Sequence, residues 1–105
     1  MDDAGFEAAA EDLLRRLADA LEDADGDLDV ELREGVLTVE LPDGRQILAN
    51  RHAPTRQIWL SSPLSGARHF AGDGRGGWRD TRDGRALADV LVEDFAALGV
   101  TLPRL

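Results

Sequence analysis

A short alternating run near the middle of the chain decides the fold: Arg56-Gln57-Ile58-Trp59-Leu60-Ser61. Successive side chains of an extended strand point to opposite faces, so Ile58 and Leu60 share one face and Trp59 lies on the other. If the aliphatic pair is buried, Trp59 faces outward together with Gln57 and Ser61. The run therefore predicts a strand that is covered on one face and open on the other.

Further strand patterns lie on both sides of this run. Strict alternation is clearest at residues 28–32, and the other predicted strands are residues 36–41, 45–50, 67–70 and a short piece around Trp78. The turns between them are rich in Gly, Pro, Asp and Ser, and residues 72–77 form a glycine-rich tip. Consecutive strands at hairpin spacing predict an antiparallel sheet of five to six strands.

Two amphipathic helices flank the strands. Apolar side chains recur at helical spacing in residues 6–21 and again in residues 87–98. The candidate end signals are Asp2 or Asp3 and Asp83 as N-caps, and Gly99 as the C-terminal stop.

The apolar face of the sheet must be buried by a second layer, and in a chain this short only the two helices can form that layer. Both helices are therefore expected to cover the same face of the sheet. The expected fold class is therefore α+β, a two-layer α–β sandwich with two helices on one face of the sheet. A chain of 105 residues is too short for a second core, so a single domain over residues 1–105 is expected.

Composition excludes several functional classes. A net charge of −9 argues against binding to nucleic acid or to an anionic membrane surface. The chain has no cysteine, which excludes disulfides and thiolate ligation of a metal or cluster. There is no run of about 18 apolar residues that would span a membrane. The first residues have no signal-peptide or presequence pattern, and a cytoplasmic location is expected.

The acidity is local. Residues 1–31 hold twelve acids against two arginines. Acids at the end of the first helix oppose its macrodipole, and those from Asp25 onward have no basic residue nearby in sequence. A solvated surface is the simpler interpretation of these acids. However, several acids in unfavourable positions, without basic residues nearby to offset them, indicate a functional surface. Its dense part, which we call the acidic ridge, is Asp19, Glu22, Asp23, Asp25, Asp27, Asp29 and Glu31.

The acidic ridge predicts a loose metal-binding surface. Carboxylate oxygens suit hard cations such as Ca²⁺, Mn²⁺ and oxygen-ligated iron. Alternate residues of a strand lie about 6.6–7 Å apart, which is too far for two neighbours to chelate one ion tightly. The glycine and glutamate spacing after Asp23 does not fit an EF-hand loop. We therefore expect several weakly held ions that keep much of their water.

The middle of the chain resembles a known family. Residues 50–66, which read NRHAPTRQIWLSSPLSG, closely resemble the central block of frataxins. The segment at residues 25–27, the strand at 35–39, Trp78 and the terminal helix follow in matching order, so the resemblance spans essentially the whole chain and looks like the bacterial form. It implies an α–β sandwich that binds iron, as Fe²⁺ or Fe³⁺, weakly along the acidic ridge; other divalent cations fit the same ligands.

The resemblance also implies a non-enzymatic role in iron–sulfur cluster assembly. The chain would act as an iron donor or as an iron-dependent regulator of the cysteine desulfurase, with that enzyme and the scaffold protein as partners. A monomer is expected, and iron-induced oligomers are left open. The residues that match the family's exposed sheet-face contacts are Asn50, Gln57, Trp59 and Arg68.

Two alternatives stay open. One is a slow ferroxidase or iron-storage protein, which needs closely spaced ligands. The other is an acidic interaction module that binds its partner without metal.

Individual ring side chains have both structural and functional interpretations. Trp59 is either an interface anchor or a residue that packs across neighbouring strands. Trp78 is expected to be structural. His52 and His69 are expected in or near loops as ordinary surface or partly packed histidines.

Overall fold

The computed structural model describes residues 2–24 and 26–102. Its elements in chain order are α1 (Asp3–Glu22), β1 (Asp29–Arg33), β2 (Val36–Glu40), β3 (Gln46–His52), a 3₁₀ turn (Ala53–Thr55), β4 (Gln57–Ser62), β5 (Gly66–Gly72), β6 (Trp78–Asp80) and α2 (Leu87–Ala97). The predicted two-layer α+β fold is confirmed, with a six-stranded antiparallel sheet. Within the described ranges, no helix is both long and apolar enough to cross a membrane.

The strands form one antiparallel meander in the order β1-β2-β3-β4-β5-β6. The turn between β1 and β2 consists of Glu34 and Gly35, whose φ angles are 50° and 77°. Two consecutive residues in the left-handed region are typical of a type I′ turn, whose twist suits a hairpin. This turn fixes a register in which Asp29 lies opposite Glu40.

The two helices cover one face of the sheet. α1 packs on β1 to β3, and α2 packs beside β6. The largest fully buried side chains come from both helices and from the inner face of the sheet: Phe6, Leu14, Val39, Ile58, Leu60, Phe70, Val90 and Phe95. Each contributes about 1.5–3 kcal/mol on burial, so this layer holds helices and sheet together. Trp78 packs edge-on against Phe6, with ring centroids 6.1 Å apart, and its predicted structural role is confirmed.

Two of the predicted helix end signals are confirmed. Asp2 caps α1, because its Oδ1 accepts a 2.7 Å hydrogen bond from the Gly5 amide. Gly99 ends α2 with a φ of 86°, and the Val100 amide donates to the Phe95 carbonyl at 2.8 Å. That pair of features is a Schellman motif, which satisfies carbonyls left free at the helix end.

The prediction that Asp83 caps α2 is wrong. The helix begins at Leu87, after Ala86, which has no side-chain capping bond. The Asp83 carboxylate instead accepts hydrogen bonds from the Arg85 amide at 2.9 Å and from Arg68 Nη1 at 3.0 Å. These donors, the Arg85 amide foremost, hold the pKa of Asp83 below its usual range. A bridge from β6 to residue 86 keeps the chain extended past Asp83 and delays the helix.

Arg68 lies on the covered face of the sheet, so its predicted place on the exposed face is wrong. Arg68 pairs with Leu60 across the β4–β5 hairpin, whereas His69 pairs with Trp59. A difference of one residue in register moves a side chain to the opposite face. The Arg68 side chain is 17% exposed, and its Nη1 donates hydrogen bonds to the carboxylates of Asp80 and Asp83, both at 3.0 Å. Contact of Arg68 with a partner stays a prediction.

The two histidines differ in how they meet the expectation of a position in or near a loop. His52 ends β3 and so lies beside a loop, but His69 lies within β5. His69 falls inside the strand that the sequence predicted at residues 67–70, and its register partner across β4 is Trp59. The expectation of a loop position is therefore wrong for His69.

We expect Arg68→Met to lower the free energy of unfolding by about 3 kcal/mol, because it leaves a buried carboxylate without its ion-pair partner. That carboxylate belongs to Asp80, whose side chain is 1% exposed. Urea unfolding measures the change. Arg79→Met is the matched control, since the Arg79 side chain is 58% exposed and lies 4.0 Å from Asp73; its loss should cost less than about 1 kcal/mol. Equal losses in the two variants would contradict the buried-pair role.

Candidate functional site: an acidic ridge and an open sheet face

The acidic ridge lies along one edge of the molecule, where the end of α1 meets β1. Three of its residues end or follow α1, one lies in the connection and two lie on β1. Six of the seven ridge residues fall within the described ranges, and all six are exposed: Asp19, Glu22, Asp23, Asp27, Asp29 and Glu31. Asp25 lies outside the described residues.

A tight connection between α1 and β1 brings the two parts of the ridge together. Gly26 and Asp27 both have positive φ angles, 132° and 55°. A Cβ atom on Gly26 would lie 3.2 Å from a methyl group of Val100. Glycine at this position therefore allows the chain to turn closely against the segment that follows α2.

Basic partners balance the front of α1 but not its end. Glu11 pairs with Arg15 at 3.4 Å, and Asp12 pairs with Arg16 at 2.9 Å, each one helical turn apart. The last turn of α1 has no basic residue, so the acids there face the negative end of the helix dipole. Among the described residues, the ridge acids other than Glu31 have no ion-pair partner.

Glu31 is the exception within the ridge. Arg33 Nε lies 3.2 Å from Glu31 Oε1, so the expectation of no nearby basic partner is wrong for this residue. The two side chains meet because residues two apart in a strand share a face. Both are exposed, and such a pair contributes at most about 1 kcal/mol. It reduces the local negative charge without removing it.

Glu40 adds a carboxylate that the sequence interpretation missed. It lies directly opposite Asp29 in the β1–β2 hairpin, where two like charges are unfavourable. Its Oε1 accepts a 3.3 Å hydrogen bond from Gln46 Nε2. The sequence signal for this contact is the two-residue turn at residues 34–35, because the turn fixes the β1–β2 register and so places Glu40 opposite Asp29.

The ridge acids are spread along an edge. In the described part of the chain, no three His, Asp or Glu side chains are grouped closely enough to hold a metal ion. Asp19 and Glu22 border an open groove of about 480 Å³ between α1 and the β1–β2 turn, which Glu11, Glu34, Arg15 and Arg51 also line. Such a surface offers separate carboxylates to hydrated cations and lacks the full ligand set that a tight Ca²⁺ or Mg²⁺ site needs.

The second candidate surface is the sheet face that the helices leave uncovered, which we call the open face. Asn50, Trp59 and His69 are direct cross-strand neighbours on β3, β4 and β5. Trp59 Nε1 donates a 2.9 Å hydrogen bond to Gln57 Oε1, two residues back on the same face. Gln57 and Trp59 share this face as the alternation predicted, and Asn50, which the family resemblance indicated, joins them from β3. Their contact with a partner stays a prediction.

Two imidazole rings enclose Trp59, an arrangement that the sequence interpretation missed. The His52 ring stacks on the indole with a centroid distance of 3.7 Å and an interplanar angle of 12°. The His69 ring does the same at 4.3 Å and 11°. Because β3 and β5 flank β4 on opposite sides, the two rings cover opposite faces of the indole. We call these three side chains, which are all half-buried, the ring stack.

Charge is segregated across the open face. The strands β1 and β2 carry three carboxylates there, from Asp29, Glu31 and Glu40, and one arginine, Arg33, which pairs with Glu31. The open-face positions of β3 to β6, read from the register, carry no carboxylate, and Arg79 on β6 is basic. One end of the face is therefore acidic, and the part around the ring stack is neutral to basic.

Comparison with known proteins gives a consistent set of relatives. Residues 1–99 match the family described as the frataxin-like domain. A protein of Dechloromonas aromatica, named iron-sulfur cluster assembly protein CyaY, is 46% identical over 92 residues, which cover 87% of this chain and 86% of that protein. The mitochondrial frataxin homolog of Saccharomyces cerevisiae is 39% identical over 94 residues, covering 85% of this chain and 53% of that protein.

Solved structures share the arrangement of helices and sheet. The frataxin from Psychromonas ingrahamii, of the CyaY protein family, has a TM-score of 0.89 at 25% identity, over 100% of this chain and 99% of that chain. Trimeric frataxin from Saccharomyces cerevisiae, complexed with ferrous iron, has a TM-score of 0.75 at 39% identity, over 85% of this chain and 83% of that chain. The fold is therefore common to the bacterial and the yeast protein.

We expect Asp29→Asn to raise the free energy of unfolding by about 0.2–1 kcal/mol at low ionic strength, because it removes one of two like charges that face each other across β1 and β2. The gain should shrink in about 1 M salt, where the Debye length is about 3 Å. Thermal unfolding at both salt concentrations measures it. Asp12→Asn, which breaks the pair with Arg16, should give no gain. A loss of stability in Asp29→Asn at low salt would contradict the repulsion.

Proposed function

The chain belongs to the frataxin family, and from this we propose that it acts in iron–sulfur cluster assembly as a weakly iron-binding protein that docks onto the assembly machinery. Relatives that share most of this chain's length are named for that process. Donation of iron and iron-dependent regulation of the cysteine desulfurase are the two forms of this role. Neither requires a catalytic residue on this chain.

The observation that carries the proposal is the row of exposed carboxylates at the α1–β1 edge, which have no basic partner among the described residues except at Glu31. Their oxygens are suitable ligands for Fe²⁺ and Fe³⁺, and their separation favours several hydrated ions over one buried ion. Weak binding suits a donor or a sensor, because the iron must exchange with the solvent or with a partner. A family relative was solved with ferrous iron, which supports iron as the cargo.

We assign the docking of partners to two surfaces. The acidic ridge complements a basic patch, which we take to be on the cysteine desulfurase, and the attraction would speed their encounter. The open face presents Trp59 beside Asn50 and Gln57, and a half-buried tryptophan with polar neighbours is a common interface anchor. We assign that face to the scaffold protein.

A slow ferroxidase or iron store is the less favoured alternative. Oxidation of Fe²⁺ by oxygen at a useful rate needs ligands that converge on closely spaced ions. The described residues contain no such cluster, so the ridge supports binding better than turnover. A metal-independent acidic module fits the charge equally well, and iron titration separates it from our proposal.

A ridge-neutral variant should bind Fe²⁺ about tenfold more weakly than the wild type, equal to about 1.4 kcal/mol, because each substitution removes a carboxylate ligand. The variant carries Glu22→Gln, Asp23→Asn, Asp27→Asn and Asp29→Asn. Anaerobic titration calorimetry provides the measurement. A control with Asp12→Asn, Asp43→Asn, Asp89→Asn and Glu93→Gln changes the net charge equally at exposed sites elsewhere, and it should bind iron nearly as the wild type does. Equal weakening in both variants would show a general charge effect and contradict the ridge assignment.

The anchor role of Trp59 has its own test. Trp59→Ala should weaken binding to the purified desulfurase–scaffold complex by at least about tenfold, since truncation of an interface anchor costs about 2 kcal/mol or more. Val92→Ala removes an exposed apolar side chain from α2, away from the open face, and should leave binding unchanged. Surface plasmon resonance compares the three proteins, and equal affinity of wild type and Trp59→Ala would remove Trp59 from the interface.

A further inference from the structure

The ring stack changes what Trp59 offers to a partner. With His52 and His69 at 3.7 and 4.3 Å on its two sides, neither face of the indole is free. A partner meets the edges of three parallel rings. Aromatic edges are the positive part of the ring quadrupole, and imidazole edges also carry N–H donors. This arrangement favours an acceptor or an anion over an apolar side chain.

The surroundings of the ring stack favour an anion as well. The nearest basic residues on the open face are Arg79 on β6, which lies 4.0 Å from Asp73, and Arg33 on β1, which pairs with Glu31 at 3.2 Å and stands in the cross-strand row of Trp59. The carboxylates of the open face stand on β1 and β2, at Asp29, Glu31 and Glu40. On β3 to β6, no open-face carboxylate competes for a positive charge at the stack.

The contacts of His52 are compatible with both of its charge states. Its Nδ1 lies 2.8 Å from the Thr55 hydroxyl oxygen, and that oxygen lies 3.5 Å from the His52 carbonyl. A hydroxyl donates to an unprotonated ring nitrogen and accepts from a protonated one. His69 has no side-chain hydrogen bond within the described residues.

We propose that the ring stack is a proton-gated docking site for a carboxylate-bearing segment of a partner protein. The proposal rests on the proposed function, in which the open face meets the assembly machinery. Imidazole is the side chain that ordinarily changes charge between about pH 5 and 8. Protonation of His52 and His69 places positive charge on both sides of Trp59. A carboxylate then accepts charge-assisted hydrogen bonds, which are shorter and stronger than neutral ones.

The sign of the effect follows from which form binds. The protonated stack attracts the carboxylate and the neutral stack does not, so affinity rises as the pH falls. Ordinary carboxylates titrate near pH 4, below this range, and the ligand keeps its charge. We expect about tenfold tighter binding at about pH 6 than at about pH 8.

The test is an NMR titration of the full-length protein with a hexaglutamate peptide, and with hexaglutamine as the uncharged control. A salt concentration of about 0.1 M, with a Debye length of about 10 Å, limits repulsion from the acidic ridge. Hexaglutamate should shift the Trp59 indole N–H and the His69 ring signals saturably, and about tenfold more tightly at the lower pH. Hexaglutamine should shift neither.

Two variants separate charge from shape. A His52→Gln/His69→Gln double variant keeps polar side chains beside Trp59 but cannot gain charge, so it should bind weakly at both pH values. His69→Arg carries a permanent planar cation that stacks on the indole, so it should bind tightly at both. The dispersion of the amide spectrum confirms that each variant is folded.

Equal affinity of the wild type at the two pH values would overturn the proposal, as would pH-dependent binding that survives in the double variant. Binding of hexaglutamine as tight as that of hexaglutamate would overturn it too. The peptide replaces the assembly proteins, so failure of the Trp59→Ala comparison on the desulfurase–scaffold complex counts against the proposed function alone.

Discussion

The alternation of side chains along six paired strands is the constraint on which the rest of this structure depends. Ile58, Leu60 and Phe70 occupy the covered face, so both helices pack there, and Trp59 and His69 lie on the open face. A register shift of one residue would exchange the two sets and expose the core. Hydrophobic packing on the covered face therefore fixes the register, and the register determines which polar and aromatic side chains lie on the open face.

The acidic ridge is a local cost that this packing tolerates. Acids at the end of α1 oppose the helix dipole by about 0.3–1 kcal/mol each, and the Asp29–Glu40 contact adds about as much. A single buried phenylalanine such as Phe95 contributes about 1.5–3 kcal/mol, so the core offsets several such contacts. Charge that works against folding is retained at the edge, where bound cations or a basic partner would relieve it.

Periodicity and end signals predicted the elements, the fold class and the position of the acidic ridge, because these properties are local in the sequence. Arg68 was placed on the open face by the family resemblance, but it lies two residues before the buried Phe70 and shares the covered face with it. Contacts between strands are not local in the sequence, and the ring stack was missed because His52 and His69 meet Trp59 from two different strands. Asp83 was misassigned because a turn competed for its carboxylate.

Cysteine desulfurase turnover, measured over a range of Fe²⁺ concentrations with and without this protein, tests the central claim most directly. The account predicts that the protein changes turnover in an iron-dependent way and that the ridge-neutral variant has lost this dependence. The charge-matched control variant should behave as the wild type does. An effect of the protein that is independent of iron, or one that the ridge-neutral variant reproduces in full, would contradict the claim that the acidic ridge couples iron to the assembly machinery.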